Sequence, residues 1–244
     1  MAATLRLRIR VPRSEGGPVA GTLCAPEDRP APPPILFLRE DSLAPEGLFY
    51  PTIVDRLAQS GFATAILDRR EGHAIDPVEE LDVSRAFVAE AAAGRIDPRL
   101  ARGRVGVVGH GLGGAIALLV AAASGGESVP GVVTLGACAQ LARGDGRMPP
   151  SFVDEVARRP DRYSLERAVR ELRGRAVFVH GEEDSLVPIE EAERLYHWAD
   201  KDRARLVIME KVGHNFGTKA PFVGLTKEVD RIGKILVDFF ATLL

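Results

Sequence analysis

Two cysteines, Cys24 and Cys138, are all that this 244-residue chain contains. That is too few for a disulfide framework and fits a reducing compartment, so the expected location is cytoplasmic. Charge of one sign is missing too: 32 basic side chains face 34 acidic ones, for a formal net charge of −2. Without a basic excess there are no counterions to release, which excludes nucleic-acid binding by bulk charge. The arginines outnumber the lysines but are scattered along the chain, not gathered into a patch. Long apolar runs are lacking as well. The longest, Ala115 to Ala123, is far too short to cross a bilayer. Met1 to Val11 alternates Leu5, Leu7, Ile9 and Val11 with Arg6, Arg8 and Arg10, which predicts a strand and not an apolar leader.

What is present is an ordinary globular composition, 45% hydrophobic and 27% charged. Thr4–Val11 and Val19–Ala25 read as strands joined by a turn at Ser14 to Gly17, and the proline run Pro30 to Pro34 feeds a short strand at Ile35–Leu38. Further strands are expected at Ala63–Leu67, Arg104–Val108, Gly131–Leu135, Ala176–His180 and Arg205–Met209. Helices are expected at Pro77–Ala93, Leu112–Ala123, Ile189–Ala199 and Thr226–Leu244. Strand–helix alternation predicts an α/β fold, a mostly parallel twisted sheet with helices on both faces. Val105–Val108 and Val177–Val179 are continuously apolar, as strands covered on both sides should be. The interval 138–174 has no strand signal and several prolines and glycines. It reads as a short cap inserted into one domain spanning 1–244.

The sharpest local feature is Gly109-His110-Gly111-Leu112-Gly113-Gly114, between an apolar strand and an apolar helix. Gly109, Gly111 and Gly114 match a dinucleotide-binding spacing. That reading needs an acidic residue ending the next strand, but the strand runs out as Leu135-Gly136-Ala137-Cys138-Ala139. The same segment also matches a nucleophile elbow, G-x-S-x-G, with Gly109 and Gly113 flanking position 111. Two further strand ends carry ionisable residues, His180-Gly181-Glu182-Glu183-Asp184 with Val187-Pro188, and Gly213-His214-Asn215-Phe216.

Elbow, acid, histidine, in that order, resembles the α/β-hydrolase superfamily, in its dienelactone-hydrolase and prolyl-oligopeptidase-like esterase group. The resemblance runs from Ile35 to Leu244. It implies an α/β-hydrolase fold, ancestry in a Ser-Asp-His esterase of small ester or acyl compounds, Asp184 as the acid and His214 as the base. It implies neither cofactor nor metal, and leaves the oligomeric state open.

Two positions depart from the pattern. The nucleophile position holds Gly111, which offers no atom to form an acyl-enzyme. The strand Ile35–Leu38 is followed by Arg39-Glu40-Asp41 where the group usually has His-Gly. An oxyanion hole built from the amides of this loop and of Leu112 would then have the Glu40 and Asp41 carboxylates beside it, opposing the developing charge. The expected protein is therefore an inactive or substituted hydrolase. The alternatives are a noncatalytic binding or sensing protein, or an Asp184–His214 dyad that abstracts protons. Ser42, Ser185 and Cys138 are weak substitutes for the missing nucleophile. His73, His110 and His197 have no partner pattern and read as structural or surface residues. The charges of 68–73 read as ion-paired in a loop.

Overall fold

The computed structural model describes residues 3–13, 16–40, 49–68, 77–141, 150–218 and 224–244. Asp41, Ser42 and His73 lie outside them. The strands are β1 (Thr4–Val11), β2 (Val19–Pro26), β3 (Pro34–Leu38), β4 (Ala63–Leu67), β5 (Gly106–His110), β6 (Gly131–Leu135), β7 (Arg175–Gly181) and β8 (Ala204–Met209). The helices are α1 (Tyr50–Gln59), α2 (Pro77–Ala92), α3 (Leu112–Ser128), α4 (Pro150–Arg158), α5 (Leu165–Glu171), α6 (Ile189–Trp198) and α7 (Lys227–Ala241). They build one eight-stranded sheet in the order β1-β2-β4-β3-β5-β6-β7-β8. β1 and β2 pair antiparallel, as do β2 and β4, while every pair from β4 to β8 is parallel.

The apolar runs are explained by the two faces they serve. Along β5, Val107 joins the core on one side, with α2, α3 and α5, and Val108 joins the core on the other, with α1 and α7. β3 divides likewise, Leu36 and Leu38 facing one way, Ile35 and Phe37 the other. Successive side chains on a strand point to opposite faces, so a strand covered twice must be apolar throughout.

Three differences from the sequence reading have physical reasons. α1 was not expected, yet Tyr50, Ile53, Val54 and Leu57 are buried at helical spacing, and Pro51 falls in the first turn, where its missing N–H costs nothing. β5 begins at Gly106 and runs on through His110, displaced from the expected Arg104–Val108, because Gly109 and His110 pair with Thr134 and Leu135. α3 continues to Ser128 across a break at Gly125 (φ 75°). The interval 138–174 holds α4, a 3₁₀ turn (Pro160–Tyr163) and α5, with no strand among its described residues. Phe152, Tyr163, Leu165 and Val169 pack into the same core as α3. Asp68 pairs with Arg8 of β1 at 2.5 Å; residues 69–73 lie outside the described residues. No helix among the described residues is long and apolar enough to cross a membrane.

Candidate active site

β3, β5, β7 and β8 end on the same edge of the sheet, where open α/β sheets place their sites. Their four following turns bring Glu40, Gly111, Asp184 and His214 together.

Gly111 is the apex between β5 and α3, with φ 54° and ψ −121°, a backbone unfavourable for side-chain-bearing residues. Its flanks are tight. A Cβ on Gly109 would fall 2.2 Å from the Gly113 carbonyl oxygen, and one on Gly113 would fall 2.5 Å from that of Leu38. This is a strand–elbow–helix, and the glycines permit the close backbone approach it requires.

Asp184 is fixed by its own turn. Oδ1 accepts the amides of Leu186 (2.9 Å) and Val187 (2.8 Å), a local arrangement typical of Asp in turns. That leaves Oδ2, which lies 2.7 Å from His214 Nδ1. The His214 turn is clamped by Phe216, fully buried at φ 50°, whose ring packs 5.9 Å from Phe49 and 5.8 Å from His110.

The other nitrogen of His214 meets a group that the sequence placed differently. His214 Nε2 lies 2.9 Å from Glu40 Oε2. A Cβ on Gly111 would fall only 1.2 Å from that same oxygen. The Glu40 carboxylate therefore fills the space of an elbow side chain and takes up its hydrogen bond to the histidine. The Glu40 amide was expected beside an oxyanion hole. That N–H donates to the Tyr50 hydroxyl at 3.1 Å. Leu112 opens α3 directly after the apex.

Beneath this line runs a second one, which the sequence did not reveal. His110, read as structural or surface, is completely buried, with its ring centroid 4.8 Å from that of His214. His110 Nε2 lies 3.1 Å from the His214 carbonyl oxygen, and Nδ1 lies 2.7 Å from Tyr50 Oη. A carbonyl only accepts, so Nε2 carries the proton. Burial drives the His110 pKa down to about 4, so the ring is neutral and Nδ1 accepts from Tyr50. Tyr50 in turn accepts from Glu40 N–H, closing a chain from Glu40 through Tyr50 and His110 to the His214 backbone.

Burial disfavours the charged form of His214, but the hydrogen bonds to Asp184 and Glu40 and their negative charges outweigh it, and its pKa rises to about 9. Burial likewise pushes the Glu40 and Asp184 carboxyls up, and the hydrogen bond from His214 together with the nearby histidine charge outweighs it, so both lie below their ordinary range. At neutral pH the resting site is an imidazolium between two carboxylates.

Glu40, His110 and His214 each offer one potential metal-ligand atom, all within 4.8 Å of one another. Their chemistry argues against such use as they stand, because both nitrogens of each histidine are already engaged. Of the weaker nucleophile candidates, Ser185 is exposed and Cys138 is buried in the apolar core. His197 is exposed on α6.

No family's sequence model matches the chain, and no curated protein matches it in sequence. Solved structures do match in fold. A dienelactone hydrolase from Anabaena variabilis is 19% identical, with a TM-score of 0.71 over 99% of both chains. The esterase domain of a Rhodothermus marinus protein is 21% identical, with a TM-score of 0.72 over 96% of this chain and 97% of that one. A hyperthermophilic esterase from the archaeon Pyrobaculum calidifontis is 19% identical, with a TM-score of 0.75 over 98% of this chain and 83% of that one. The chain has the α/β-hydrolase fold.

Proposed function

We propose that this protein is a hydrolase of small ester or acyl compounds, descended from a Ser-Asp-His esterase, in which Glu40, His214 and Asp184 form the working group and the serine acyl-enzyme route is closed. The observation that carries this is the 1.2 Å between the Cβ position of Gly111 and Glu40 Oε2. Space that an elbow nucleophile would need is taken by a carboxylate hydrogen-bonded to the histidine. Proton abstraction by a free Asp184–His214 dyad is a poorer account, because an imidazolium has no lone pair to receive a proton.

The test is turnover of a panel of small esters by the unmodified protein, Glu40→Gln and His214→Gln. The expected result is slow turnover without a burst, abolished by either substitution. A burst with an acyl group on a serine, or a Glu40→Gln variant as active as the parent, would overturn the proposal. One observation favours binding without turnover as a second reading: His214 and His110 have every ring nitrogen satisfied at rest. Saturable ligand binding with no turnover of any ester would select it.

A further inference from the structure

β7 is apolar from Ala176 to Val179 and then carries a histidine, His180, that is completely buried. Its Nε2 lies 2.8 Å from the Val187 carbonyl oxygen. A carbonyl only accepts, so Nε2 carries a proton. Burial outweighs that hydrogen bond and the charges of Asp184 and Glu191, His214 acts in the same sense as burial, and the His180 pKa lies below its ordinary value. The ring is therefore neutral at neutral pH, and Nδ1 is a bare acceptor, buried with no hydrogen-bond partner among the described residues. Burying an unmet acceptor is a cost that a phenylalanine at the same place would avoid. What the imidazole supplies in return is its Nε2–H.

That N–H acts on the turn that carries the acid. The amides of Leu186 and Val187 tie Asp184 Oδ1 to the turn, so the carboxylate goes wherever the turn goes. The bond from His180 to the Val187 carbonyl ties the far end of the turn back to β7. The same Nε2 lies 3.4 Å from Asp184 Oδ2, the oxygen that meets His214 Nδ1 at 2.7 Å. A charged His180 would compete with His214 for that oxygen. A neutral one, spending its proton on the carbonyl, leaves Oδ2 to His214.

We propose that His180 is a positioning residue: by donating Nε2–H to the Val187 carbonyl it holds the 184–187 turn so that Asp184 Oδ2 meets His214. This rests on the reading of Glu40, His214 and Asp184 as the working group, and His180 reaches that group through Asp184.

The experiment compares unmodified protein with His180→Phe and His180→Gln, by magnetic resonance titration of His214 and by turnover of the ester panel. Gln keeps an N–H at about the reach of Nε2, whereas Phe keeps the ring shape and loses the donor. In His180→Phe the His214 midpoint should fall clearly from about 9 towards 6.5. Its kcat on esters should drop with KM little changed, by about 10²-fold if Asp184 moves by about 1 Å. His180→Gln should recover most of both. Packing alone predicts the opposite order, since an aromatic ring suits that buried strand end better than an amide does. A midpoint unmoved in His180→Phe, or lowered equally in both variants, would overturn the inference. Absence of turnover with every ester would count against the hydrolase reading, while the midpoints still judge His180. Should His180→Phe fail to fold, heavy-nitrogen spectra of the histidines in unmodified protein decide. His180 should show a neutral ring protonated at Nε2, and a ring that is charged at neutral pH or protonated at Nδ1 would overturn the inference.

Discussion

Glu40 and Gly111 share one volume: a Cβ on Gly111 would stand 1.2 Å from the carboxylate oxygen that Glu40 sends to His214. The two positions are therefore coupled, and a change at one is read through the other. Restoring a serine at the elbow illustrates this. Gly111→Ser can be accommodated only by pushing the Glu40 carboxylate aside, at a backbone whose positive φ already costs about 1–3 kcal/mol for a residue with a side chain. The single variant is expected to fold and to give little esterase activity, since Glu40 still competes for His214. Adding Glu40→Ala should raise the rate and bring out a burst with a nitrophenyl ester. Equal rates for the single and double variants would show that Glu40 does not obstruct the elbow.

Asp184 carries more than the histidine. Replacing it with Ala leaves the amides of Leu186 and Val187 without their acceptor and strips a buried imidazolium of one partner. Breaking a buried charge pair on one side costs about 3–5 kcal/mol. Denaturant unfolding of Asp184→Ala should show a loss of that order, and a loss under about 1 kcal/mol would mean that the pair is no stronger than a surface contact.

Stability should peak near pH 6.5. His214 has its pKa raised from 6.5 to about 9 in the folded protein, so its contribution is complete below 6.5 and is lost as the pH rises through about 9. His110 has its pKa lowered from 6.5 to about 4, so the unfolded chain binds its proton first and stability falls as the pH drops from 6.5 towards 4. Glu40 and Asp184, both lowered, add to the loss on the acid side. Melting temperatures across this range should form a dome, and the acid limb should soften in His110→Phe. A flat profile between pH 4 and 9 would contradict these shifts.

Much of the fold was legible because its signal is local. Strands buried on both faces are apolar residue after residue, as Val107 and Val108 show by entering opposite cores. Asp184 and His214 were legible too, since each lies in a recognisable turn that follows a strand. α1 had a readable signal in Tyr50, Ile53, Val54 and Leu57, one apolar face at helical spacing. Glu40 had none. Its partner lies 174 positions away, and a glycine at 111 announces a missing side chain without saying what fills the space. His110, read as structural or surface, is structural, and its partner was hidden for the same reason: Tyr50, which sets its tautomer, is 60 positions distant. Chemistry made by long-range contact leaves no spacing to read.

The central claim is that Glu40 replaces the elbow side chain as the partner of His214, and a nuclear magnetic resonance titration of His214 tests it directly. In the unmodified protein the ring should keep its proton until about pH 9. In Glu40→Gln, with the anion gone and Asp184 still in place, the midpoint should fall clearly towards the ordinary 6.5. A parent midpoint already near 6.5, or one near 9 that Glu40→Gln leaves unmoved, would contradict the account.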